Sequence, residues 1–317
     1  MSSHSKPSPE QGLRYDGQVA IITGAGAGMG QAHAILLAQR GARVIVNDLY
    51  QETAQETVNT IQSSANTALA VAGNIGDPAV AAKIVETAIE AYGRIDILVN
   101  NAGIEIKKNF GDFSLEEFRR VMDVHVLGSW ALTSLCWPYM KKQGYGRIVV
   151  VSSSSLFGMD SNSAYVTAKG ALFGLMKSLY FEGKPLGIQV NALAPIALTN
   201  MAKQMIGEDD VAQIEYLSAA FPAWATSPVL AWLVHKDCGL SGEMITSYGR
   251  NFGRIFLAET KGASVPKGDW APEVVRDHMN KALDERNYIR AASTEEVVKT
   301  LMAMRATSEE GLKNIEL

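Results

Sequence analysis

Tyr165 and Lys169 stand four residues apart in NSAYVTAKGALFGL, so on a helix they share one face. An ammonium lying beneath a phenol favours the tyrosinate and brings the tyrosine pKa from about 10 toward working pH, which makes the phenol a usable acid and base. Without further support, a Tyr and a Lys at this spacing are an ordinary solvated helix face.

A second constellation lies near the start of the chain. The apolar run QVAIIT leads into Gly24-Ala-Gly-Ala-Gly28-Met-Gly30 and then into the helical pattern QAHAILLAQRG. Glycines let a backbone turn sharply and approach a pyrophosphate, which then rests over the open amides and positive end of the helix. The bland alternative is a loop, but the order strand, glycines, helix favours a dinucleotide cradle. The next apolar run, ARVIVND, ends in Asp48, whose carboxylate can accept both hydroxyl hydrogens of an adenosine ribose and would repel a 2′-phosphate. The glycine turn carries no Lys or Arg, so NAD is the expected cofactor. The competing reading of Asp48 is a turn or capping aspartate.

The elements that must position these residues read as repeated βα units. Val- and Ile-rich runs (QVAIITG, ARVIVND, ALAVAGN, IDILVNN, GRIVVVSS, IQVNALAP) alternate with helical patterns at 30–40, 51–63, 79–92, 115–142 and 161–183. The runs are nearly continuous in apolar residues, so helices are expected on both faces of an α/β, doubly wound parallel sheet. Residues 1–16 read as a flexible tail and 17–260 as one domain with a lid at about 201–228. Residues 261–317 read as a C-terminal extension, in which AAS before TEEVVKTLMAMR marks a helix capped by Ser293 or Thr294.

TGAGAGMG at 23–30, NNAG at 100–103, the serines 152–155 and YVTAK at 165–169 follow one another in order. From about 17 to 199 the chain resembles the short-chain dehydrogenase/reductase family. The resemblance implies a Rossmann fold and an oxidoreductase in which the nicotinamide carries a hydride and Tyr165 a proton. By that likeness Met29, Leu49, Asn101, Ala102, Gly103, Pro195 and Lys169 also lie along the dinucleotide. Asn100 falls beside the adenine ribose, Asn74 and Ile75 flank the adenine, and Ile196 with Thr199 meets the nicotinamide amide. The family needs a serine hydroxyl on the substrate oxygen. Counting forward from the strand favours Ser153, and counting back from Tyr165 favours Ser152; the other serines are expected to satisfy backbone groups. Where the family usually has an asparagine that anchors a water leading to the lysine, this chain has His125. A satisfied core histidine and a proton relay both stay open for it. The usual Pro-Gly after the sixth strand is Pro195-Ile196.

Within the family, VNDL at 46–49, VHVLG at 124–128, WPYMKKQGYGRIV at 137–149 and AWLVHKDC at 231–238 are similar to the (3R)-hydroxyacyl-CoA dehydrogenase part of peroxisomal multifunctional enzymes of type 2. That implies a 3-hydroxyacyl thioester, with steroids or other secondary alcohols as the alternative. A non-catalytic dinucleotide sensor is the reading from a different class.

The net charge of −4 and the scattered Lys and Arg give no footprint for nucleic acid or an anionic membrane. The two cysteines, Cys136 and Cys238, have no metal-ligand spacing, so no metal site is expected. The polar start, MSSHSKPSPEQGLRYDG, lacks a signal-like apolar stretch, and the cytoplasm is the expected location. Trp130, Leu132, Leu135, Trp137, Leu172, Leu175 and Leu179 are more apolar side chains than one helix face can hide, which predicts a homodimer or homotetramer. Met201, Met205, Ile206, Tyr216, Leu217, Phe221 and Trp224 suit a lid over a small apolar substrate, or an amphipathic helix packed on the core.

Overall fold

The computed structural model describes residues 12–199, 211–265, 270–286, 288–291, 293–300 and 302–303. The chain divides into two compact units, Met1–Ile255 and Phe256–Leu317. The division falls slightly before the boundary read from the sequence.

The first unit is built on β1 (Val19–Ile22), β2 (Arg43–Asp48), β3 (Ala68–Ala72), β4 (Ile97–Asn100), β5 (Gly146–Val151), β6 (Ile188–Ile196), β7 (Met244–Tyr248) and β8 (Asn251–Ile255). They form one sheet in the order β3-β2-β1-β4-β5-β6-β7-β8. All neighbours pair parallel except β8, which folds back antiparallel on β7, a hairpin that the sequence pattern did not single out. The chain winds outward from β1 to β3 and then crosses to β4 on the other side, so the strand order switches between β1 and β4. Crevices for ligands open at the carboxyl ends of strands at such a switch.

Alternate strand residues feed opposite cores, which is why the runs look continuously apolar. Val19 and Ile21 enter one cluster with α3 (Pro78–Tyr92), α5 (Gly128–Gln143) and α6 (Ser163–Gly183). Ala20 and Ile22 enter the other with α1 (Gly28–Gln39), α2 (Gln51–Ser63) and α8 (Ser227–Val234). Both faces are covered, as a doubly wound sheet requires.

Three expectations need correction. The helix predicted over 115–142 is α4 (Leu115–Met122), a wide π-type turn at Asp123–Leu127, and then α5. Second, the supposed tail is ordered within its described part. Tyr15 is 1% exposed, packs in the core with α8, and donates its hydroxyl to the Ala231 carbonyl. Residues 1–11 lie outside the described residues. Third, the apolar stripe is narrower than supposed: Leu132 and Leu172 are core residues, and Trp137, Leu175 and Leu179 pack against the core. Trp130 and Leu135 stay exposed, together with Leu127, Tyr139 and Phe181.

α7 (Val211–Ala220) precedes α8. The second unit pairs β9 (Glu259–Thr260) with β10 (Tyr288–Ile289) antiparallel and contains α9 (Pro272–Ala282). In its helical stretch 294–300 the cap is Ser293, whose hydroxyl accepts from the Glu296 N–H at 3.1 Å. Among the described residues no helix is long and apolar enough to cross a membrane.

Candidate active site

The turn after β1 is made possible by its glycines. Gly24 and Gly28 have φ of +60° and +58°, and a Cβ on Gly30 would stand 2.2 Å from the Gly24 carbonyl oxygen. Ala27, at the helix entrance, supplies no capping side chain, so the first amides of α1 remain open to an anion. The turn is braced from β4. The Asn101 amide donates to the carbonyls of Thr23 at 2.8 Å and Gly24 at 3.1 Å, and the Thr23 hydroxyl accepts from the Asn101 and Ala102 N–H groups, each at 3.0 Å. Thr23 is a positioning residue that the sequence reading missed. The motif TGAGAGMG contained it, but a buried threonine carries no signal of its own.

At the end of β2 the Asp48 carboxylate accepts from Gly26 N–H and Leu49 N–H, both at 2.8 Å, and from the Thr53 hydroxyl at 3.1 Å. It fills the space where a Cβ on Gly26 would come within 2.7 Å. The turn-aspartate reading is therefore correct as far as it goes. A carboxylate has about four lone-pair sites, and these three contacts leave room for a ligand. Its neighbours in the cavity wall, Leu49 and Tyr50, bring no cation that could meet a phosphate.

A single cavity of about 810 Å³ joins this cradle to α6. Lys169 is 3% exposed and its Nζ donates to the Val151 carbonyl at 2.7 Å, 5.3 Å from the centre of the Tyr165 ring. Burial lowers the Lys169 pKa to about 7, with the Glu105 charge pulling it back up. Burial pushes Tyr165 up to about 12 and Glu105 adds to the rise, whereas the hydrogen bond with Ser153 pulls it down. The net direction for the Tyr165 phenol is therefore upward, with burial as the largest cause, against the lowering expected from the sequence. The Lys169 ammonium donates to the strand carbonyl, and burial disfavours its charged form.

Geometry separates the two serines. Ser153 is the serine whose hydroxyl acts on the Tyr165 phenol, lowering its pKa, and its Oγ accepts from the Ser155 N–H at 3.0 Å. Ser152 is 2% exposed and donates to the Lys169 carbonyl at 2.8 Å, so its hydroxyl is committed to holding β5 against α6. As a candidate for the substrate oxygen Ser152 is corrected to a positioning role.

A strand, a glycine turn and a helix-borne Tyr/Lys pair with a serine thus open onto one cavity. Over residues 18–210 the chain matches the short chain dehydrogenase family. It belongs to that family. Peroxisomal multifunctional enzyme type 2 of Mus musculus is 36% identical over 295 residues, covering 90% of this chain and 39% of that protein. Full-length peroxisomal multifunctional enzyme type 2 from Drosophila melanogaster has a similar structure, with a TM-score of 0.79 at 30% identity over 94% of this chain and 51% of that one. A 7α-hydroxysteroid dehydrogenase solved with NADH and 7-oxo glycochenodeoxycholic acid gives a TM-score of 0.69 at 32% identity, over 75% of this chain and 95% of that one. The chain spans about half, or less, of the length of the two multifunctional proteins.

Of the residues expected along a dinucleotide, Gly24, Gly28, Met29, Gly30, Asp48, Leu49, Asn74 and Ile75 line the cavity. Asn101, Ala102, Gly103, Tyr165, Lys169, Pro195, Ile196 and Thr199 line it as well. Asn100 does not join them. It is 2% exposed and donates to the Thr133 hydroxyl of α5 at 3.0 Å. Asn101, just past the end of β4, lines the cavity in its place.

His125 occupies the wide turn, packed edge-on against Tyr165 with ring centres 5.5 Å apart. Its Nε2 lies within hydrogen-bond distance of both the N–H and the carbonyl of Ile104, and its Nδ1 is buried without a partner. Burial, assisted by the nearby Lys169 charge, lowers its pKa to about 3. A relay through the imidazolium near neutral pH is therefore disfavoured. What the geometry supports is a neutral ring that fixes the loop after β4, close enough that a Cβ on Gly103 would stand 2.3 Å from its Cε1.

Of the expected lid, Met201, Met205 and Ile206 lie outside the described residues. Tyr216 is 69% exposed on α7, and Leu217 is half-buried on the same helix. Neither Phe221 nor Trp224 lines the main cavity; Trp224 borders a separate hollow of about 450 Å³ against α1. The Leu198 N–H donates to the Phe221 carbonyl at 2.7 Å, which ties this segment to the end of β6 instead of freeing it. Glu105, which the sequence reading missed, does line the cavity, as do Arg120 and Met159.

Proposed function

We propose that the chain is an NAD-dependent dehydrogenase that interconverts a secondary alcohol and a ketone on a small apolar substrate, with 3-hydroxyacyl thioesters as the leading class. The observation that carries this reading is the continuity of one cavity from the glycine turn and Asp48 to Tyr165, Ser153 and Lys169. The glycine cradle, where a Cβ on Gly24, Gly26 or Gly30 would clash, and the cation-free wall around Asp48 fit a dinucleotide without a 2′-phosphate. Bound NAD would supply the hydride acceptor and a positively charged ring.

In this reading the Ser153 hydroxyl holds the substrate oxygen and Tyr165 Oη exchanges its proton. A phenol near 12 is protonated at neutral pH and ready to donate during ketone reduction. As a base in alcohol oxidation it needs added positive charge nearby, from a protonated Lys169 and from the oxidised cofactor. Lys169 sits on the phenol's own helix face, where burial makes its charge strongly felt. His125, neutral, keeps the Ile104 loop in place.

The likeness to multifunctional enzymes supports the thioester class, and the likeness to a hydroxysteroid dehydrogenase supports a steroid or related hydroxy compound as the second reading. The exposed Leu127, Trp130, Leu135, Tyr139 and Phe181 support a homodimer or homotetramer. The partners proposed are therefore a small apolar substrate and further copies of the chain, with neither nucleic acid nor membrane. For location, the cytoplasmic expectation stands beside the peroxisomal names of relatives.

The test is NADH formation, followed by absorbance, with a panel of 3-hydroxyacyl thioesters, hydroxysteroids and simple secondary alcohols. NAD-linked turnover of at least one apolar alcohol is expected. Binding of NADH with no turnover across the panel would make the protein a sensor, and preference for NADP would overturn the reading of Asp48.

A further inference from the structure

The cavity wall beside Tyr165 carries a carboxylate that hydride and proton transfer do not require. Glu105 follows Ile104 in the loop after β4, is half-buried, and lines the cavity with Tyr165, Ser153 and Met159. Its Oε1 accepts a hydrogen bond from the Asn162 side-chain amide. Asn162 is fully buried immediately before α6, and its own side-chain oxygen has no partner.

Further contacts fix the Glu105 loop. The Lys108 N–H donates to the Ser161 carbonyl at 2.9 Å, and the Ser161 hydroxyl donates to Asn109 Oδ1 at 2.9 Å. Lys108 also pairs with Glu117 of α4. Ser161 itself has φ of +56°, a conformation that a non-glycine residue keeps only where its surroundings enforce it. The carboxylate is thus held in place, near enough for its charge to act on both Tyr165 and Lys169.

A carboxylate can only accept hydrogen bonds, and one contact with Asn162 leaves most of its lone pairs open. In a half-buried cavity wall an open lone pair is best met by a donor and a second negative charge is repelled, so the substrate group opposite Glu105 is expected to be a donor. We propose that Glu105 is a specificity-determining residue that accepts a hydrogen bond from a hydroxyl or amine on the carbon next to the reacting carbinol, as in a vicinal diol, and rejects substrates with an anionic group there. This rests on Tyr165 being the proton-transfer residue, and it favours the hydroxy-compound reading of the substrate over the thioester class, whose carbons next to the carbinol carry no donor.

The experiment compares the full-length protein with Glu105→Gln and Glu105→Leu. For each, kcat/KM with NAD is measured on three substrates of matched carbon skeleton: a vicinal diol, the mono-alcohol and the 2-hydroxy acid. Sites built around a polar contact discriminate by orders of magnitude, so the unsubstituted protein should favour the diol over the hydroxy acid by roughly 100-fold or more. Glu105→Gln keeps an acceptor for Asn162 and removes the charge, so it should shrink that ratio at least tenfold or so, with NADH affinity unchanged. It should also shift the basic limb of the pH profile to lower pH. Tyr165 and Lys169 on α6 both lose a neighbouring negative charge, while His125 of the wide turn stays neutral and Arg120 of α4 stays charged.

Equal ratios in all three proteins, or a preference of the unsubstituted protein for the hydroxy acid, would overturn the proposal. Tyr165→Phe serves as the control for the underlying reading. If that variant is inactive while the ratios do not move, the Glu105 assignment alone fails; if it stays active, the proton-transfer reading fails first.

Discussion

The two ends of the cavity are built by different means. Around the turn after β1 the backbone does the shaping, through the positive φ of Gly24 and Gly28, the missing Cβ of Gly30 and the bracing by Thr23 and Asn101. Around Tyr165 side chains from separate segments do it. Glu105 comes from the loop after β4, His125 from the wide turn, Ser153 from the end of β5, and Asn162 and Lys169 from α6 and its entrance. A backbone-built site restricts residue types over one short stretch, whereas a side-chain-built site spreads its requirements over the fold. The first end should therefore break by steric substitution, and the second by removal of single polar groups.

The largest of these effects is expected at Gly30. Gly30→Ala puts a Cβ 2.2 Å from the Gly24 oxygen, and the turn has to shift. A backbone rearrangement costing on the order of 3 kcal/mol corresponds to roughly 100-fold weaker NADH binding, readable by fluorescence titration. Retained affinity would mean that the turn is not the cradle.

Ser153→Ala should lower kcat by roughly 100-fold, the scale for losing one donor to a reacting oxygen. Ser152→Ala should leave kcat nearly intact and cost about 1 kcal/mol of stability, the scale of one buried hydrogen bond. Steady-state kinetics and urea melts on the pair would reverse the serine assignment if the effects were exchanged.

Asp48→Ala should raise kcat/KM with NADP by roughly tenfold, since it relieves a like-charge contact, and lower it with NAD by a similar factor. An unchanged cofactor ratio would leave Asp48 with its turn role alone.

A further effect, on stability and not on turnover, concerns pH. With a native Lys169 pKa near 7 against the ordinary 10.5, the unfolded chain binds more protons between those values. The lysine's contribution to stability therefore rises with pH through that window and is lost as pH falls toward 7. Lys169→Met should flatten this slope relative to the unsubstituted protein in parallel urea melts, and identical slopes would place Lys169 in a better solvated state.

What was legible in the sequence follows the same division. The strand runs and glycine turn were readable because continuous apolar runs and clustered glycines each have a cause that acts within a few residues. The break in the helix at 123–127 was not, because a widened turn depends on how His125 and Gly128 pack against Gly103 and Ile75. Tyr15 looked like part of a polar tail because its partner, the Ala231 carbonyl, is far away in sequence. Glu105 looked like an ordinary loop charge, since nothing near it in the chain announces Asn162 or Tyr165. Family likeness assigns Asn100 to the cofactor, whereas its side chain donates to Thr133 of α5, a contact far away in the sequence.

The central claim is that one cavity binds the dinucleotide through its backbone-built end and moves the proton through Tyr165. Tyr165→Phe removes the phenolic hydroxyl and little else, so one titration and one rate measurement test it together. The account predicts NADH affinity within about twofold of the unsubstituted protein and kcat lower by roughly 1,000-fold or more. A variant that binds NADH and still turns over at a near-normal rate would contradict it.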